Sequence, residues 1–118
     1  MTEETLNPAD SEMVLLTLVV GPALSDAVID WLLVQDDLRG FSSHHGAGHG
    51  QDPNSLSATE QVAGRQARVF FNLLLSAARF PDVLARLRAE FSGVDLHYWA
   101  VPVIQSGHLE PMGKKRDG

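Results

Sequence analysis

Cysteine is absent from the 118 residues, so disulfides, zinc–thiolate sites and thiol nucleophiles are excluded. Positive charge is scarce: nine Lys and Arg stand against fifteen Asp and Glu, a net charge of −6 with histidines neutral. Three of those nine, Lys114, Lys115 and Arg116, fall in a terminal run read as a solvated end, which leaves the folded body more acidic than the total. Long-range attraction to a phosphate backbone is therefore weak, and nucleic acid is not an expected partner. No apolar run approaches the ~20 residues of a membrane span, so no membrane insertion is expected. The acidic start Met1-Thr2-Glu3-Glu4-Thr5 lacks the basic-then-apolar layout of a signal peptide, and the cytoplasm is the expected location. There is no Gly-x-x-x-x-Gly-Lys, no defensible Ser–His–Asp order and no convincing carboxylate pair. No catalytic residue is assigned, and the chain is not expected to be an enzyme.

What is present is a core. Apolar residues make up 44% of the chain, enough for one folded domain. Residues 1–11 are polar and carry Pro8, reading as a flexible arm; residues 110–118 read as a flexible tail. Between them, residues 12–109 form the domain. Met13 to Val20 is a run, apolar but for Thr17, stopped by Gly21-Pro22, which favours a strand apolar on both faces. Pro22 opens a helix whose stripe is Leu24, Ala27, Val28, Trp31 and Leu32, with early acids suited to the positive helix start. Phe41 to His45 reads as a second strand. A third ends in the apolar run Val69 to Leu75, and a second helix carries the stripe Phe80, Val83, Leu84, Leu87 and Phe91. Arg79, Arg86 and Arg88 read as its solvated face, and Gly93 as its C-cap. The last strand spans Asp95 to Ile104, where Pro102 demands an edge or a bulge; within it His97 reads as a hydrogen-bonded core or interface residue.

The stretch from Gly40 to Gln51 concentrates three of the five histidines and four of the ten glycines. It leads into a Gly-, Ser- and Asn-containing segment, residues 46–60, read as a long loop, and such loops tend to be functional or mobile. His44 and His45 are adjacent, so in a strand they point to opposite faces. In an extended chain His45 and His49 share a face but stand roughly 13 Å apart. One metal could take both only if the Gly46-Ala47-Gly48 segment turned, or if other subunits contributed. By spacing alone, solvated loop histidines remain the alternative.

The order strand, helix, strand, strand, helix, strand gives an α+β, ferredoxin-like βαββαβ fold, an antiparallel sheet with two helices on one face. Two helices cover one sheet face, yet three strands are apolar on both. The uncovered face should meet copies of itself, which makes a homo-oligomer the expectation.

At this point the chain resembles the PII signalling superfamily, and within it a family of small PII-like proteins associated with heavy-metal efflux systems. The resemblance rests on Leu16-Thr17-Leu18-Val19-Val20-Gly21-Pro22, Asp30-Trp31-Leu32-Leu33, Gly40-Phe41-Ser42-Ser43-His44, Gly48-His49-Gly50, Glu60 to Gln66 and His97 to Val103. It implies a homotrimer and a regulatory or sensor role, exercised by ligand-dependent contact with a transporter or other target protein through the loop between strands 2 and 3. It also implies His44, His45 and His49 as ligands of a transition metal, for which imidazole suits zinc, copper, nickel or cobalt; no cofactor is otherwise required. Gly46, Gly48, Gly50 and Arg65 would line the cleft where PII proteins bind nucleotide between subunits. Their Gly-Asp-Gly-Lys turn before the last strand is replaced here by Ser92-Gly93-Val94-Asp95, and their arginine-bearing end by Gln105-Ser106-Gly107-His108. Triphosphate needs cationic or preorganised amide partners, so ATP is expected to bind weakly or not at all. The alternatives are a nucleotide-responsive PII-like protein and a structural trimer resembling the CutA type.

Overall fold

Leucine and valine fill Met13–Val20, and this run forms the central strand, β1. A computed structural model describes residues 12–38, 40–48 and 66–109. Their order is β1 (Met13–Val20), α1 (Pro22–Leu33), β2 (Ser42–Gly48), β3 (Gln66–Ser76), α2 (Phe80–Phe91) and β4 (Leu96–Val103). The strands make one antiparallel sheet ordered β2-β3-β1-β4, the expected ferredoxin-like βαββαβ arrangement. The expected arm at 1–11, most of the connection between strands 2 and 3, and the tail at 110–118 lie outside the described residues.

Alternation along the strands decides what is buried. Leu16, Leu18 and Val20 of β1 and Val69, Phe71, Leu73 and Leu75 of β3 point to the same side. There they meet Val28 and Leu32 of α1 and Val83 and Leu87 of α2. Leu16, Leu18, Val20 and Phe71 are fully buried. Both helices thus lie on one face, and their predicted stripes are the buried ones, except that Ala27 is exposed. Pro102 falls on β4, an edge strand, where a missing N–H costs no ladder bond. Gly93 follows the Ser92 cap of α2 with φ +85°, a conformation glycine adopts without strain.

Three local expectations are corrected. β2 does not stop at His45 but runs to Gly48, because β3 offers a full ladder: Gly46, Ala47 and Gly48 pair with Arg68, Ala67 and Gln66. Cross-strand pairing overrides the poor strand propensity of glycine here. The first turn of α1 holds no acid; Asp26 comes one turn too late to meet the unpaired N–H groups. The arginines of α2 are not a plain solvated face. Arg79 Nη1 and Arg86 Nη2 donate to Asp37 Oδ2 at 2.8 and 2.7 Å. Arg86 also donates to Gln35 Oε1 at 2.6 Å and Asp82 Oδ2 at 3.1 Å. The chain leaving α1 is thereby tied to α2. The Arg86 hydrogen bond holds the Asp37 carboxyl below its ordinary value, and the same contact pushes Arg86 up. No helix among the described residues is long and apolar enough to cross a membrane.

Candidate functional site

The sheet face opposite the helices carries no element of the described chain, and its side chains follow from the register. Phe70 is paired with His44 on one side and Val19 on the other; Val19 is paired in turn with His97. These four residues form a row across all four strands. One pair further along, Asn72 and Thr17 are joined by a hydrogen bond from Thr17 Oγ1 to Asn72 Oδ1 of 2.8 Å. Towards the end where β1 begins, the face turns apolar. Leu74, Trp99 and Val101 are 46%, 50% and 44% exposed, three large apolar side chains gathered on one face.

The His44 ring lies parallel to Phe70, centroids 4.9 Å apart. Gly46 makes this possible. A Cβ at that position would stand 2.7 Å from Phe70 Cε1, closer than two carbons approach. Beyond Phe70 lies Arg68, with a side chain 10% exposed. Its guanidinium donates to Gln66 Oε1 and reaches across the chain at Gly21 towards Asp95, 3.9 Å away. The guanidinium packs beside Gly21, where an added Cβ would stand in ordinary contact, 3.7 Å from Arg68 Nη1. Asp95 in turn accepts from His97 Nε2 at 2.8 Å. Gln66, Arg68, Asp95 and His97 are thus linked in sequence at the end of the sheet where β2 leaves for β3.

Two clefts flank Arg68. One, of about 430 Å³, lies on the open face and is lined by Val19, Gly48, Arg68, Phe70, His97, Tyr98 and Trp99. The other, of about 350 Å³, lies at the start of α1 between Gly21–Leu24, Gln66–Arg68 and Asp95. A guanidinium shared by two clefts offers donors in a fixed fork suited to carboxylate or phosphate.

Of the residues singled out in the sequence, His44 stands on the open face and His45 on the opposite one, both exposed. One strand does not bring them together. Gly46 lies against Phe70 and Gly48 against Arg68. His49, Gly50 and Arg65 lie outside the described residues. Among the described residues no three His, Asp or Glu side chains gather closely enough to hold a metal ion. His97 is hydrogen-bonded as expected, but its side chain is 62% exposed and so not part of the core of this chain. Sequence reasoning missed Arg68. Its signal was a basic residue directly before a run, Val69 to Leu75, that is apolar but for Asn72.

The fold has relatives in shape. A crystal structure of a DUF3240 family protein from Shewanella baltica OS155 superposes with a TM-score of 0.67 at 24% identity, covering 85% of this chain and 99% of that one. A protein from Thermus thermophilus described as a PII-like signaling protein gives 0.55 at 14% identity, covering 78% and 87%. A Bacillus cereus protein related to NIF3 gives 0.57 at 16% identity, over 82% of this chain but 26% of that one. At these identities the likeness is one of fold, and the fold is PII-like. No curated protein matches the chain. A model of one family, described as a protein of unknown function, matches residues 10–110, and the chain therefore belongs to the DUF3240 family.

Proposed function

We propose that the chain is a PII-like regulatory or sensor protein that works as a homotrimer, its open sheet faces turned inward and its helices outside. The observation that carries this reading is the open face itself, which bears exposed Leu74, Trp99 and Val101 and, towards its other end, the polar side chains of His44, Arg68 and His97. The apolar part supports assembly. The polar part lies where β2 and β3 part, so a ligand held there would bear on the connecting loop. The proposed output is ligand-dependent contact with a target protein, a metal-efflux transporter in keeping with the family resemblance, in the cytoplasm and without catalysis.

The proposed effector is a transition metal held by His44, His45 and His49. Because His44 and His45 diverge, such a site needs the loop to fold back or a second subunit to contribute. Either route couples metal binding to loop order, which would give a sensor its output. A nucleotide-responsive protein is the second reading, favoured by one observation: Arg68 supplies a buried cation between two clefts that lack the lysine and arginines of PII proteins. A CutA-like structural trimer is what remains if neither ligand binds. Calorimetric titration of tag-free protein with ATP, ADP, AMP and with zinc, copper, nickel and cobalt separates the three. Metal binding lost in the His44→Ala, His45→Ala, His49→Ala triple variant supports the sensor; unchanged metal binding by that variant reduces the histidines to a solvated loop.

A further inference from the structure

On the helix side of the sheet, α2 and the start of β4 enclose a groove of about 350 Å³ that the regulatory reading does not use. Its floor is Leu18, fully buried, and Leu87, 4% exposed; Leu84 and Phe91 wall it. Three polar side chains stand in this lining, Arg88, Ser92 and Tyr98, and Arg88 Nη2 donates to the Tyr98 hydroxyl at 3.3 Å. That hydrogen bond is long, and its acceptor is a phenol oxygen rather than a carboxylate. The contrast with the other described arginines is informative. Arg68, Arg79 and Arg86 each lie within 4.0 Å of a carboxylate, whereas among the described residues Arg88 has none. A guanidinium without an anion, beside a phenol O–H and above an apolar floor, matches a molecule with one carboxylate and an apolar body.

The geometry points to this groove as a binding site for a small amphipathic monocarboxylate. The carboxylate accepts from Arg88 and Tyr98, and the apolar body lies on Leu18 and Leu87. The volume is that of a small-molecule pocket rather than of a peptide-length groove. With a net charge of −6 on the chain, long-range attraction does not favour anions, so selectivity must come from the local pair. The groove lies on the opposite side of the sheet from Trp99 and Val101, so the inference does not rest on the regulatory reading. It stands or falls separately from metal binding and from assembly through the open face.

The test uses the full ¹⁵N-labelled chain, titrated with octanoate and with 3-phenylpropionate, and in parallel with 1-octanol, octylamine and 3-phenylpropanol. Saturable amide shifts confined to residues 84–98 are expected for at least one carboxylate, with the matching alcohol and amine about tenfold weaker. Arg88→Gln, an exposed substitution, should weaken the carboxylate about tenfold and leave the alcohol unchanged. Tyr98→Phe should weaken it by a smaller factor. If neither carboxylate shifts these residues, the inference fails. It also fails if acid, alcohol and amine bind alike, or if Arg88→Gln, with a spectrum showing it folded, binds the carboxylate as the parent does.

Discussion

Replacing Gly46 by alanine puts a methyl carbon 2.7 Å from Phe70 Cε1. The obstructing atom belongs to the far end of a side chain, so the ring can swing aside, at the expense of its parallel contact with His44. Gly46→Ala should fold, lose about 1–2 kcal/mol in urea unfolding, and alter the chemical shifts of His44. At Asp37 the concern is charge. The Arg86 hydrogen bond lowers its carboxyl below the ordinary 3.8. A depressed folded value means stability that is fully present above 3.8 and lost as pH falls through the lower folded value. Asp37→Asn should therefore lose stability near neutrality, and its melting temperature should fall less than the parent's on acidification below pH 3.8. Parallel thermal melts from neutrality into acid check both statements.

At the level of elements, β1 is paired on both edges and buried on its helix side, so its residues carry unequal weight. Leu18→Ala should cost about 2–5 kcal/mol, read as a shifted urea midpoint. That burial was legible in the sequence: runs such as Met13–Val20 and the stripe from Val28 to Leu32 announce it by composition and period. β2 was legible only to His45, because Gly46-Ala47-Gly48 has no pattern of its own and becomes a strand only through pairing with Gln66–Arg68. The site was half legible. Local crowding exposed the histidines, but the link from Arg68 to Asp95 depends on register across β3, β1 and β4. Nothing local to either residue encodes that. The Arg86 to Asp37 tie, 49 positions apart, is invisible for the same reason.

For the whole molecule, the open face is the deciding surface. Light scattering at micromolar concentration should return a trimer, and Val101→Glu should return a smaller species, because a carboxylate buried without a partner is costly. A stable monomer in the parent overturns the inward-facing arrangement. ATP should bind far more weakly than to a typical PII protein, and a submicromolar dissociation constant by calorimetry would contradict the expectation drawn from the missing lysine and arginines. Metal affinity should fall on acidification, because protons and metal compete for the same imidazole nitrogen.

The chain's two tryptophans divide the molecule optically. Trp31 lies on the helix side, edge-on to Phe91 at 5.9 Å, while Trp99 lies half in water on the open face. With Trp31 changed to phenylalanine, the remaining emission belongs to the open face alone. It should be blue-shifted while the sheets are buried against each other and move to the red on dilution as they separate. With Trp99 changed instead, emission follows the wall of the α2 groove and is indifferent to dilution while the subunit stays folded. A single fluorimeter can thus follow assembly in one variant and groove occupancy in the other, one tryptophan for each side of the sheet.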